Sequence, residues 1–243
     1  VTRPPTCPAL VIDLDGVLRF FDPAVTALIE DRAGLPAGVI GSFAFHPQLL
    51  DPAITGAMAD ELWRYRVAEE LAGLFGDGAA ADAVTEWAAY RGEIDPDVLG
   101  LVRRVTVPVV LLTNATTRLE ADLSAAGLDG EFAAVVSSAR TGVVKPDERA
   151  FAAAEQVVTR ISPGRTGPIV YIDDDAGHIR AARARGWRVW RFTGADRMRA
   201  FLDRQHLLAP SDDFTEPPRG DVEDEAADGV AEGEELTRPD PRE

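Results

Sequence analysis

The sequence is poor in several things whose scarcity is informative. Of its 243 residues one is cysteine, Cys7, so no disulfide can form within the chain, and a reducing compartment suits it. No apolar run is long enough to cross a bilayer; the longest away from the first strand lies near Val107 to Leu112. The opening Val1-Thr2-Arg3-Pro4-Pro5 is polar, and the apolar run behind it is too short for a signal sequence. These absences predict a cytoplasmic protein without a membrane partner. Basic charge is also scarce: 25 Lys and Arg stand against 41 Asp and Glu, a net −16, which leaves no basic face for nucleic acid. Lysine is scarcest of all. Lys145 is the only one in a chain that otherwise uses arginine, which points to a task for a compact ammonium that a guanidinium cannot do.

The acidity is local. From Ser211 to Glu243 there are 6 Asp and 7 Glu against 3 Arg, so this segment carries −10 of the −16. Rich in Pro, Gly and Ala as well, it cannot bury enough apolar surface to fold, and it reads as a disordered, solubilising tail. The whole chain, at 46% hydrophobic and 27% charged, has the composition of an ordinary globular protein.

Ala9 to Leu14 reads as a buried parallel strand that ends in two acids, Asp13 and Asp15, and then Gly16. Pro23 to Asp31 follows as a helix with Asp22 as its cap. Leu35 to Pro52 reads as turn-rich, because of Gly38, Gly41, Pro47 and Pro52. Ala53 to Leu74 has apolar residues at helical spacing, and Ala79 to Tyr90 resumes the helix after Gly76 and Gly78. From Asp95-Pro96 onward, helix and strand alternate strictly: strands over 107–112, 133–137, 169–172 and 187–192, helices between and after them. The expected fold is therefore α/β: a doubly wound, parallel, five-stranded Rossmann-like sheet with an inserted small helical cap domain. Residues 8–20 and 95–210 would form the core, 21–94 the cap and 211–243 the tail. Such sheets bind ligands beyond the C-terminal ends of their strands.

Polar groups collect at those ends. Thr113 and Asn114 close the second core strand, where a hydroxyl and free N–H groups suit an oxyanion, although Thr and Asn also serve as plain helix caps. Lys145 stands just before the helix that Pro146 begins; it is either a charge-neutralising ammonium or a solvated loop lysine. The fourth core strand ends in Asp173-Asp174-Asp175, three acids that repel one another unless a cation sits among them or they cap the next helix. Hard oxygen donors of this kind point to Mg²⁺.

In this order and at these strand ends, Asp13-Leu14-Asp15-Gly16-Val17, Thr113-Asn114, Lys145-Pro146 and Tyr171-Ile172-Asp173-Asp174 resemble the four signature motifs of the haloacid dehalogenase-like (HAD) hydrolases. The helical insertion resembles that family's C1 cap. The resemblance covers about Leu10 to Leu208 and implies a role for each position. Asp13 would be a nucleophile that forms an aspartyl-phosphate and touches Mg²⁺. Asp15 would be the general acid and then the base, its carbonyl also on the metal. Thr113 and the Asn114 N–H would hold the phosphoryl group, and Lys145 would pair with Asp13 and the phosphate. Asp174 would be the principal metal ligand of the fourth motif, supported by Asp173. Relatives that cleave carbon–halogen bonds lack the second acid, so Asp15 favours a Mg²⁺-dependent phosphatase acting on a small phosphorylated metabolite. Phosphomutase or dehalogenase chemistry, or a non-catalytic phospho-accepting module, are the alternatives. One position departs from the pattern: four residues after Asp174 the family usually has Asp or Asn, and here stands His178. His46, Arg19, Phe21, Trp63 and Arg64 are the candidates for contacting substrate from the cap side.

Overall fold

The protein is described by a computed structural model, which covers residues 7–210. The acidic segment 211–243, expected to be disordered, lies outside the described residues.

The chain opens with strand β1 (Leu10–Ile12), turns at Gly16, and forms a short strand β2 (Arg19–Phe20). Five helices follow: α1 (Pro23–Arg32), α2 (Val39–Ala44), α3 (Pro47–Ile54), α4 (Asp60–Phe75) and α5 (Asp77–Ala89). Strand β3 (Glu93–Ile94) then pairs antiparallel with β2. The remainder alternates: α6 (Pro96–Arg104), β4 (Val109–Thr113), α7 (Leu119–Ala125), β5 (Ala134–Ser137), α8 (Ser138–Thr141) and α9 (Glu148–Ile161). It finishes with β6 (Val170–Asp173), α10 (Ala176–Ala184), β7 (Arg188–Arg191) and α11 (Ala195–Arg204).

The main sheet has five parallel strands in the order β5-β4-β1-β6-β7. Its strands read as unbroken apolar runs because both faces are covered. Leu10, Ile12, Leu111 and Ile172 enter one buried cluster with Leu101, Met198 and Leu202 from α6 and α11. Val11, Val110, Leu112 and Tyr171 point the other way, onto Phe151 and Ala182 from α9 and α10. The chain runs from β1 outward through β4 and β5, then crosses back to β6 on the other side of β1. That reversal leaves a crevice beyond the C-terminal ends of β1 and β6, where ligands bind in open sheets of this kind.

Helices α1 to α5 bury a third cluster of their own, built on Ile29, Ile40, Trp63, Val67, Leu71 and Val84. Two expectations for this region change. The turn-rich stretch from Leu35 to Pro52 is mostly helical, as α2 and α3. Pro47 falls at the first position of α3, where its missing N–H costs nothing. Gly38 takes φ 79°, and the N–H groups of Gly38 and Ile40 at the start of α2 are received by the Glu30 carboxylate at 2.6 and 2.8 Å. A buried acid from α1 therefore caps α2. The helix expected over Ala53 to Leu74 is interrupted: α3 stops at Ile54, and α4 begins at Asp60. Gly56, in this break, packs so closely on Ala139 that a Cβ would lie 2.1 Å from its carbonyl oxygen. The β2–β3 pair is a strand pairing that periodicity did not reveal.

Candidate active site

Strand register brings the first two acids together. Ile12 pairs with Ile172, so Asp13 follows β1 where Asp173 ends β6, and the Asp13 N–H donates to the Ile172 carbonyl at 3.0 Å. The loop before α9 delivers Lys145 to the same spot. Its Nζ lies 2.9 Å from Asp13 Oδ1 and 2.8 Å from Asp173 Oδ2, with only 3% of the residue exposed. Asn114 holds that loop by its backbone. Its amide donates to the Lys145 carbonyl at 3.0 Å, and its oxygen accepts the Lys145 N–H at 2.8 Å. The sequence assigns the Asn114 backbone N–H to phosphate; its side chain has the separate task of fastening Lys145.

Asp173 is the most heavily engaged acid. Besides Lys145, its carboxylate accepts from the Tyr171 hydroxyl and from the Asp175 N–H, and His178 Nδ1 lies 3.1 Å from both its oxygens. The Tyr171 contact was legible in principle, since residues two apart on a strand share a face. The His178 contact follows from α10 starting right after β6, with Asp175 capping it through the Gly177 and His178 N–H groups.

Asp174 sits apart from this cluster, its carboxylate resting against the turn that follows β1. A Cβ on Gly16 would lie 2.4 Å from Asp174 Oδ2, and Gly16 itself has φ 80°. Glycine is required there twice over, by backbone angle and by close approach. Gly16→Ala is expected to push Asp174 off the turn and lower the melting temperature, which circular dichroism measures.

Asp15 is occupied elsewhere. Arg19 donates to both its oxygens, from Nε at 2.6 Å and Nη2 at 3.1 Å, while Arg19 Nη1 reaches Asp122 at 3.3 Å. Thr113, the last residue of β4, is 1% exposed.

Charge in this cluster is out of balance. Burial pushes the Asp13 carboxyl up to about 7; Lys145 pulls it down, and the neighbouring Asp173 charge adds to the rise. Burial acts on Asp173 too, but the bonds and charges of His178 and Lys145 outweigh it and hold that carboxyl well below the usual range. Asp174 is raised, by burial first and by Asp173 next. The two buried carboxylates share one ammonium, which leaves them short of positive charge. An acid-rich, hard-oxygen set with that deficit fits a divalent cation. Among the described residues, donor atoms of Asp13, Asp173 and His178 lie within 4.8 Å of one another. Lys145 already stands between the first two.

Beside the cluster opens a cavity of about 670 Å³, bounded by Asp15 and Asn114 on the sheet side and by α1 to α5 on the other. Arg19, Phe21, Trp63 and Arg64, the candidates named from sequence, all line it; His46 does not. Asp60 and Asp122 had no signal in the sequence, being two of many surface-type acids. The first is buried, and the second receives Arg19, Arg91 and Arg118 together.

A parallel sheet with acids and a buried lysine at its switch point defines a doubly wound, Rossmann-like α/β core. Residues 7–186 match the family model of the haloacid dehalogenase-like hydrolases, and the chain belongs to that family. Solved structures agree at the level of fold. The L-2-haloacid dehalogenase of Xanthobacter autotrophicus is similar with a TM-score of 0.54 at 22% identity, over 81% of this chain and 83% of that one. A HAD family enzyme of Bacteroides thetaiotaomicron gives 0.63 at 17% identity, over 80% and 98%. The same enzyme in complex with magnesium and inorganic phosphate gives 0.60 at 18%, over 77% and 94%. No curated protein matches by sequence. Among the described residues, no helix is long and apolar enough to cross a membrane.

Proposed function

We propose that this hydrolase is a Mg²⁺-dependent phosphatase that cleaves small phosphate monoesters through an aspartyl-phosphate on Asp13. The observation that carries the reading is the buried Asp13–Lys145–Asp173 cluster beside a second acid, Asp15. Asp13 and Asp174 carboxylates and the Asp15 carbonyl would hold the cation, with Asp173 in support. Mg²⁺ in that place would offset the charge deficit and polarise the transferring phosphoryl group.

Each residue then has a chemical task. Asp13 Oδ2 attacks phosphorus, since Oδ1 is engaged by the Leu14 N–H and Lys145. The phosphorus–oxygen ester bond breaks, and the leaving oxygen takes a proton from Asp15. Asp15 next removes a proton from water, which attacks phosphorus and releases phosphate and free Asp13. Lys145 holds positive charge beside the Asp13 carboxylate throughout, and Thr113 offers its hydroxyl to the phosphoryl oxygens. To reach the leaving group, Asp15 has to exchange its bonds to Arg19; its half-exposed side chain leaves room for that. The helices α1 to α5 act as a cap domain over the site, the cavity beneath them receiving the rest of the substrate.

A second reading, carbon–halogen cleavage, draws on the fold shared with the Xanthobacter dehalogenase and on the engagement of Asp15 by Arg19. The cavity volume speaks against it, being generous for a small haloacid. A panel of phosphate esters and haloacids, with and without EDTA, separates the two by the anion released. The expected result is phosphate, lost on chelation. Asp15→Asn is expected to slow alkyl phosphates at least 100-fold and 4-nitrophenyl phosphate far less, because a nitrophenolate leaves without a proton. Equal loss on both esters would remove Asp15 from the acid role.

A further inference from the structure

Part of the cavity wall is aromatic. Phe45, Trp87 and Trp63 form a run of edge-to-face contacts at 6.4 and 5.6 Å, and all three line the cavity. Arg64 sits against both indoles, 5.2 Å from the Trp63 ring centre and 5.1 Å from that of Trp87. A guanidinium framed in this way is held in one orientation. It is also tied from below, with Nε donating to Asp60 Oδ2 at 2.6 Å and Nη2 to Asp60 Oδ1 at 3.3 Å.

Asp60 in turn belongs to the site. It is 1% exposed, takes the Thr116 hydroxyl at 2.6 Å, and gives its own N–H to Thr117 Oγ1 at 2.9 Å. The loop after β4, which begins with Asn114, thus fixes Asp60, and Asp60 fixes Arg64. Nη1 of Arg64 is left without a partner among the described residues. The acids lining the same cavity are already engaged. Asp15 binds Arg19, Asp122 binds three arginines, Glu30 caps α2 and Asp22 caps α1.

We propose that Arg64 is a specificity-determining residue that receives a second oxyanion of the substrate. The substrate class is then a phosphate monoester with an apolar body that lies along Trp87 and Phe45 and carries a carboxylate or further phosphate at its far end. The inference rests on the phosphatase reading for the placement of the first phosphate. A pre-oriented guanidinium with a free N–H pair suits a planar or tetrahedral oxyanion and offers nothing to a neutral tail.

Calorimetric titration of the full chain with Mg²⁺ tests this, using phenylphosphonate, 4-carboxyphenylphosphonate and 1,4-phenylenebisphosphonate as inert probes. The expected result is at least tenfold tighter binding of one or both doubly anionic probes, and which of them gains tells carboxylate from phosphate. Arg64→Gln is expected to bring that ratio close to one, and Arg64→Lys to keep part of it. Because Arg64→Gln leaves buried Asp60 unpaired, the double variant Asp60→Asn/Arg64→Gln carries the test if the single one does not fold. Equal binding of all three probes by the unmodified protein would overturn the proposal, as would a preference that survives Arg64→Gln, or no binding at all. The parallel phosphate esters keep the two readings apart. Turnover of phenyl phosphate without preference for the carboxylated ester overturns the role of Arg64 alone. A tenfold binding preference with no ester turned over overturns the phosphatase alone.

Discussion

Asp13→Asn is expected to abolish phosphate release, by roughly 10⁴-fold or more as for the loss of a covalent nucleophile, while the protein stays folded. The exchange is nearly isosteric, and the amide oxygen can still accept the Leu14 N–H that Asp13 Oδ1 takes at 2.8 Å. It removes one of two buried carboxylates that share the Lys145 ammonium, so no like-charge repulsion is added. The melting temperature is therefore expected to hold or rise. Burial keeps the Asp13 carboxyl raised, to about 7, in the direction expected for a charge removed from water. Rates on a good ester substrate, together with thermal melts in EDTA, check both halves. More than a tenth of the activity surviving would remove Asp13 from the nucleophile's place, and a collapsed melt would make the loss of activity uninformative.

Lys145→Met is expected to have the opposite balance of effects. It leaves Asp13 and Asp173 facing each other in a site where the lysine is 3% exposed and no other side-chain ammonium exists in the chain. Removing one partner of a buried ion pair costs about 3–5 kcal/mol, so the variant should unfold at distinctly lower urea than the parent when metal is chelated. Added Mg²⁺ should restore part of that stability. Activity should fall on the order of 10³-fold, as when a preorganised donor to developing charge is deleted. Lys145→Arg completes the test. A planar guanidinium does not fit the space of one ammonium held at 2.9 and 2.8 Å from two carboxylates, so most activity should be lost although the charge is kept. Full activity in Lys145→Arg would mean that charge alone suffices and that the chain's single lysine is a coincidence of composition.

The core of the fold was readable because its signals are local. Strands buried on both faces read as unbroken apolar runs, and Asp22, Asp95, Asp147 and Asp175 each cap the helix beside them through N–H groups two or three residues on. Helices α2 and α3 were misread because their glycines and prolines mark turns by local rule. The cap of α2 comes from Glu30, eight and ten residues back across a turn, and no window of propensity contains that contact. The β2–β3 pair was hidden for a related reason: its two short strands lie at either end of the inserted helices.

The site divides along the same line. Strand alternation, capping and residue type pointed to Asp13, Asp15, Thr113, Asn114, Asp173 and Asp174 at or just after strand ends, and to Lys145 in the loop before α9. Their partners were a different matter. Lys145 lies between Asp13 and Asp173, Asp15 is held by Arg19, Asp174 rests on Gly16, Asn114 fastens the Lys145 backbone, and Asp60 presents Arg64 to the cavity. Periodicity and propensity act over a few residues and so assign groups to an edge. Ion pairs between loops far apart in the chain form only once the sheet register and the overlying helices bring those loops within about 3 Å of each other, and that closing distance is written in the packing.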